Sequence, residues 1–404
     1  MSFDPGSSVQ DYLVFGEFGD VNPSITDSST YTFLSPDTME ELFDHEIEGC
    51  FLYSRHWNPI NKYLSQALAR MEDSEAAQVT ASGMSAITCA ILQLCSTGDE
   101  IISSRTIYGG TYAFFKNFLP RFGISVKFVN MMDLDAIQEA IGDKTRLIYC
   151  ETMSNPLLEI ADIPRISKIA HAHNLQLMVD NTFSPMLFSP LRMGADIVVH
   201  SMTKFINGTS DCVAGCICAS DAFIHQLIDV NSGANMLLGP VLDSYRAASI
   251  LKNLHSLHLR MRKHSENAQY LAERLEALGL RTFYPGLASH PQHELMKKLM
   301  NPGFGYGGML AIDLEDLKTA NRLMVKMQEE KVGYLAVSLG YFKTLFSSPG
   351  HSTSSEISEE DRVAMGLSDG LVRISIGLDN DIERTYQRIL TSLRVIGRLD
   401  MMPV

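Results

Sequence analysis

Between about residues 61 and 240 the apolar positions follow two alternating rhythms. Short β-branched or apolar runs stand at 100–103, 126–129, 147–150, 175–179 and 197–199, and helical patterns such as Asn61–Met71 and Met84–Leu94 lie between or before them. Alternation of this kind predicts an α/β domain with a mostly parallel sheet covered by helices. Further on, Leu254, Leu257, Met261, Ala268, Leu271, Leu275 and Leu278 recur mostly at three- or four-residue steps, and Gly279 follows as a stop signal. This predicts one long amphipathic helix. It leads into a smaller α/β region with strands near Met309–Ile312 and Leu371–Ile376. The first 60 residues are polar and irregular but dotted with Tyr12, Phe15, Phe18, Tyr31 and Phe33. They read as an arm, which needs a surface to lie on, such as a partner subunit. The expected division is an arm over 1–60, a large domain over 61–245 and a small domain over 246–404.

Composition narrows the function classes. The chain has 404 residues, 45% hydrophobic and 20% charged, which excludes wholesale disorder, collagen and coiled coil. Lys plus Arg is 33 against 47 for Asp plus Glu, so the net charge is −14 with no basic block. Neither nucleic acid nor an anionic membrane is an expected partner. No apolar run approaches the roughly 18 residues of a membrane span, and Met1–Asp20 shows no signal-peptide pattern. The seven cysteines sit mostly in apolar runs and read as reduced core residues of a cytoplasmic protein. Cys216-Ile217-Cys218 is too close for zinc-ligand spacing, and His290 and His293 have no further ligand in sight, so no metal is expected.

The candidate chemistry concentrates in Leu175–Gly215. One strand-like run ends in Asp180-Asn181-Thr182, and a second, 195–200, ends in Ser201-Met202-Thr203-Lys204. Ligands of open α/β sheets bind outside the carboxyl ends of strands. A buried lysine there can form a Schiff base, and an aspartate can keep a ring nitrogen protonated. Together they are the minimum set for pyridoxal 5′-phosphate (PLP), whose protonated ring is an electron sink; the alternative is a structural ion pair. Ala81-Ser82-Gly83-Met84-Ser85 runs into an apolar helix, and small residues at a helix N-terminus suit a phosphate. Ser201 and Thr203 could add hydroxyls. Two rival motifs fail their context. Gly303-Phe-Gly-Tyr-Gly-Gly308 is followed by a strand where a dinucleotide site needs a helix. Ser201-Met-Thr-Lys204 fits Ser-x-x-Lys, but its companion acyl-serine motifs are missing. A non-enzymatic relative that kept only the fold is opposed by the full residue set.

Eight strings in order then carry a resemblance. They are Tyr53-Ser-Arg-His-Trp-Asn-Pro59, Ser82-Gly-Met-Ser-Ala-Ile87, Tyr108-Gly-Gly-Thr111, Glu151-Thr-Met-Ser-Asn-Pro156, Val179-Asp-Asn-Thr-Phe183, His200-Ser-Met-Thr-Lys-Phe205, Ala336-Val-Ser-Leu-Gly340 and Leu371-Val-Arg-Ile-Ser375. The chain resembles the Cys/Met metabolism family, the γ-subfamily of fold-type I PLP enzymes. The resemblance implies that fold, with a mostly parallel seven-stranded sheet in the large domain and a smaller C-terminal α/β domain. It implies Lys204 as the lysine that carries PLP, Asp180 on the pyridinium nitrogen, and Tyr108 stacked on the ring as acid or base. Gly83, Met84, Ser201 and Thr203 would bind the phosphate, and Asn155 would lie near the ring hydroxyl. Tyr53 and Arg55 would reach the phosphate in a neighbouring subunit. Arg373, assisted by Ser338, would grip the substrate α-carboxylate bidentately. A homo-oligomer, a dimer of dimers, is implied.

Within the family, three positions bear on the substrate. Relatives that handle cystathionine usually carry Glu where this chain has Val337, and an apolar residue favours an apolar thioether. Many microbial relatives that cleave methionine have Cys at the position of Gly110; the Tyr-Gly-Gly-Thr string and Leu339-Gly340-Tyr341 are more similar to plant members. Lys343 has no chemical account. The expected activity is therefore carbon–sulfur lysis, the α,γ-elimination of L-methionine to methanethiol, ammonia and 2-oxobutanoate. The alternatives are lysis or synthesis of cystathionine and sulfhydrylation of O-acetylhomoserine, the chemistry of transsulfuration.

Overall fold

The computed structural model describes residues 3–44, 47, 49–349 and 368–399. The larger sheet contains β1 (Ala76–Thr80), β2 (Glu100–Ser104), β3 (Ser125–Val129), β4 (Thr145–Glu151), β5 (Gln176–Asp180), β6 (Ile197–Ser201) and β7 (Gly215–Ala219). Their order is β1-β7-β6-β5-β4-β2-β3. Only β7 runs antiparallel to its neighbours; the other pairs are parallel. The seven-stranded, mostly parallel sheet is as expected. The strands are so apolar because both faces are covered. Val179 and Val198 join one core cluster, with Ile60, Leu64 and Leu68, whereas Met178 and Val199 join another with Ile87 and Ile91.

The second sheet contains β8 (Arg281–Phe283), β9 (Met309–Asp313), β10 (Gly333–Leu335), β11 (Thr344–Ser347) and β12 (Leu371–Ser375), in the order β10-β11-β12-β9-β8. It has its own core, including Leu310, Ile312, Phe346, Val372 and Ile374. The molecule is thus α/β in two domains, large and small.

Two expectations need correction. The long amphipathic helix does not include Leu254. That residue ends a separate helix, Ser244–Leu254, and the long helix runs Leu257–Ala277. At the break side chains take up the Asn253 carbonyl: the Ser256 hydroxyl and Arg260 Nη2 both donate to it. Gly279 does lie just past the helix end, at φ +79°. The arm is not wholly irregular either. It contains α1 (Pro5–Gln10), capped by Asp4, and α2 (Pro36–Asp44). Helix α1 sits beside α3 (Pro59–Glu72), where the Ser8 hydroxyl donates to the Arg70 carbonyl at 2.9 Å. Much of the arm's apolar surface stays exposed, at Leu13, Phe15, Phe18, Val21 and Leu34.

Candidate active site

The carboxyl ends of β4, β5 and β6 lie side by side, and parallel register sets Glu151 opposite Asp180. They open on a cavity of about 270 Å³. Gly83, Met84, Tyr108, Asn155, Asp180, Ser201, Thr203, Lys204, Val337 and Arg373 all line it. Ser338 touches the same site, because the Lys204 Nζ donates to its hydroxyl at 3.2 Å. That contact depends on Gly340, at φ +76°, where a Cβ would lie 2.4 Å from the Phe205 nitrogen and 2.8 Å from the Lys204 carbonyl carbon. The turn carrying Ser338 can therefore lie against the lysine backbone only with glycine there.

Three predicted residues do not line this cavity. Gly110 acts from behind: a Cβ on it would sit 2.6 Å from Tyr108 Cε1, so glycine makes room for the ring. Tyr53 and Arg55 are exposed, with the guanidinium 5.6 Å from the tyrosine ring centroid. Arg55 Nη1 donates to the Met236 carbonyl at 2.9 Å. Lys343 is exposed and outside the cavity.

A phosphate cradle is built at one end. Helix α4 (Gly83–Leu94) opens with a capping box between Ser82 and Ser85. A Cβ at Gly83 would lie 2.6 Å from the Ser201 Cβ. Glycine thus lets the helix N-terminus approach the end of β6, so that backbone N–H groups and Ser201 can face one anion. The Thr203 hydroxyl here donates to the Ala214 carbonyl at 3.2 Å and accepts from the Ala214 N–H at 3.0 Å.

Burial acts in opposite directions on the lysine and the aspartate. Burial, helped by the Arg373 charge, lowers the Lys204 pKa to about 8. Burial pushes the Asp180 carboxyl up, opposed by hydrogen bonds from Thr182, whose N–H lies 2.9 Å from Oδ1. The Tyr149 hydroxyl donates to Asp180 Oδ2 at 3.4 Å. On the other face of the sheet, His200 Nε2 and Glu72 Oε1 are 2.6 Å apart, both fully buried. Burial alone would lower the His200 pKa, but the Glu72 carboxylate outweighs it and pushes it up to about 9. Asn181 donates to the same Glu72 oxygen at 3.0 Å, which fixes the residue next to Asp180.

Arg373, 2% exposed, donates to Asn155 Oδ1 at 2.9 Å, and burial lowers its pKa to about 10. Sequence reasoning missed Glu151, whose oxygens accept the Tyr108 N–H at 2.7 Å and the Asn155 N–H at 3.0 Å. It also missed Thr182, Phe183, Met153 and Val213 in the lining. Glu151 stood in a quoted string, and an acid at a strand end was the available signal. A buried amine held partly neutral, a buried acid and a glycine-lined cradle together fit PLP.

Comparison with known proteins agrees with this chemistry. The model for the Cys/Met metabolism PLP-dependent enzyme family matches residues 11–385. Methionine gamma-lyase of Arabidopsis thaliana is 45% identical over 378 residues, covering 92% of this chain and 86% of that one. Cystathionine gamma-lyase of Dictyostelium discoideum is 36% identical, with 90% of each covered. A crystal structure of a putative O-acetylhomoserine (thiol)-lyase from Campylobacter jejuni, containing N′-pyridoxyl-lysine-5′-monophosphate, has a TM-score of 0.89 at 29% identity. That match covers 97% of this chain and 100% of that one.

Proposed function

The chain belongs to the family of Cys/Met metabolism PLP-dependent enzymes, and from that premise we propose that it cleaves L-methionine by α,γ-elimination. Methionine and water would give methanethiol, ammonia and 2-oxobutanoate. The observation that carries the proposal is the single cavity that holds Lys204, Asp180, Tyr108 and Arg373 with the apolar Val337 at its edge.

PLP, when bound, supplies a protonated ring that accepts the charge left as the α-proton departs. Lys204 would hold the cofactor, and its Nζ would carry protons to and from the substrate. Asp180 would keep the ring-nitrogen proton in place. Tyr108 would lie against the ring, and its hydroxyl would give a proton to the departing thiolate. Gly83, Met84, Ser201 and Thr203 would hold the phosphate, with Asn155 on the side of the ring hydroxyl. Arg373 and Ser338 bind the substrate α-carboxylate. Val337, 61% exposed, leaves the distal end of the substrate against an apolar side chain. The 45% identity to a plant methionine gamma-lyase supports methionine. Gly110, which makes room for Tyr108, supports the plant branch.

A homo-oligomer, a dimer of dimers, is part of the proposal. Tyr53 and Arg55 stand exposed outside their own cavity, and Leu237 and Leu238 are exposed apolar residues that directly follow Met236, whose carbonyl Arg55 contacts. In a dimer these two side chains would reach the partner's phosphate site. The division into an arm (1–60), a large domain (61–245) and a small domain (246–404) is retained, because the first sheet ends at Ala219 and the second begins at Arg281. All seven cysteines are free and six are buried, which supports a cytoplasmic setting. Among the described residues, no helix is long and apolar enough to cross a membrane.

The second reading is lysis or synthesis of cystathionine, or sulfhydrylation of O-acetylhomoserine, supported by relatives of those names. Incubating the holoenzyme with methionine, homocysteine, cystathionine and O-acetylhomoserine, with and without a thiol acceptor, decides between them. Methanethiol and 2-oxobutanoate from methionine alone are expected. Turnover that requires an added thiol would make it a synthase.

A further inference from the structure

Glu151 has no part in the reaction as described, yet it is a buried carboxylate in the wall of the cavity. Burial and the nearby Asp180 both disfavour its charge, while the Tyr108 and Asn155 N–H groups and Arg373 favour it. An apolar residue in that place would avoid the desolvation cost, so the carboxylate needs a reason to be there.

Its hydrogen bonds supply one. Oε1 accepts from the Tyr108 N–H and Oε2 from the Asn155 N–H. Asn155 Oδ1 in turn accepts from Arg373 Nη1. Tyr108 caps the short helix α5 (Gly109–Ala113), Asn155 follows β4, and Arg373 lies in β12 of the second sheet. The chain Tyr108–Glu151–Asn155–Arg373 therefore ties the two domains together at the cavity. Its ends are the residue proposed to act on the leaving group and the residue proposed to hold the substrate carboxylate. We propose that Glu151 is a positioning residue that fixes the separation of Tyr108 and Arg373, so that a substrate held by its carboxylate presents its γ-carbon to the tyrosine.

This inference rests on the roles given to Arg373 and Tyr108 above, and its test separates the two. The kinetics of Glu151→Gln, Arg373→Ala and the double variant are measured as holoenzymes, and PLP affinity is measured by fluorescence titration of the apoproteins. Glutamine keeps the size but turns an amide NH₂ toward one of the two N–H donors. Glu151→Gln is expected to lower kcat/KM for methionine by about 10- to 100-fold. It should also weaken PLP binding by about threefold to tenfold, through the displaced Tyr108 ring. The double variant should lose much less than the product of the two single losses, because the separation can be broken only once. Multiplicative losses, or unchanged PLP affinity in Glu151→Gln, would overturn the proposal while leaving the function intact. If Arg373→Ala leaves the KM unchanged, the role of the arginine itself fails. Should Glu151→Gln not fold, Glu151→Asp keeps the charge but is too short to reach both N–H groups at once. A lower kcat/KM together with weaker PLP binding is then expected, and unchanged PLP affinity overturns the coupling.

Discussion

The two sides of the cofactor site are built differently. The side formed by β4, β5, β6 and β12 is built within one chain: Glu151, Asp180 and Arg373 are buried, and each has hydrogen-bond partners at hand. The side expected from Tyr53 and Arg55 faces solvent; Arg55 meets the Met236 carbonyl, and Tyr53 bridges to Thr30 of the arm. The contrast teaches where chemistry and assembly are separated. Asp180 ends β5, Lys204 follows β6 and Arg373 lies within β12, so the core fixes the position of each. The outer contacts belong to a segment whose surroundings, in the proposed dimer, a second copy would supply.

The largest effects should fall on the buried side. Lys204→Ala removes the lysine that lines the cavity, and the purified protein should lack covalently held cofactor and show no turnover. Reduction with borohydride followed by peptide mapping checks this; a labelled lysine elsewhere would move the site. Arg373→Ala removes the donor to Asn155 Oδ1 and, on the proposed role, the bidentate partner of the substrate carboxylate. Two charge-assisted hydrogen bonds at about 1.5–3 kcal/mol each set the expected fall in kcat/KM at about 100-fold or more, mostly in KM.

The buried amine also sets a pH dependence. Only the neutral amine can attack the PLP aldehyde. Burial favours the neutral form, so Lys204 titrates near 8 and not near 10.5. Cofactor uptake by the apoprotein should rise with pH through a midpoint of about 8. The sign for stability is the same: the unfolded chain binds more protons between the two values, so the apoprotein gains stability as pH rises from about 8 toward 10.5. Stopped-flow uptake with a midpoint near 10 would show that the lysine is not desolvated.

Much of this site is legible in the sequence because strand-end logic is local. Asp180 and Lys204 follow apolar runs, and Gly83 opens an apolar helix, so each could be placed without knowing its neighbours. What escaped depends on pairs distant along the chain. Glu151 is explained by an N–H group 43 residues earlier, and Gly110 by the volume of a tyrosine ring. The break between Leu254 and Leu257 kept the helical step unbroken, so periodicity alone could not reveal it. β7 was seen only as a cysteine-bearing apolar stretch, and its reversed direction follows from tertiary pairing with β1 and β6.

At the mouth of the cavity the effects shrink. Val337→Glu places a carboxylate at an exposed position. An exposed ion pair with the distal ammonium of cystathionine is worth about 0.2–1 kcal/mol. The ratio of kcat/KM for cystathionine over methionine should rise only about twofold to fivefold. A shift of several hundredfold would mean that the position closes over the substrate, and no shift would remove Val337 from the specificity argument.

The exposed side is best broken by mixing two damaged chains. Arg55→Ala keeps its own Lys204, and Lys204→Ala keeps its own Arg55; each alone should be poorly active. If the arginine serves the partner's phosphate, a hybrid dimer has one site with both defects and one with neither. Random assortment makes about half of the dimers hybrids, each with one sound site in two, so an equal co-refolded mixture should regain about a quarter of parental activity. If Arg55 instead serves its own chain, every site in the mixture carries one defect and nothing is regained. The recovered fraction thus reads out whether the open face is completed by a second copy, independently of how much either substitution costs alone.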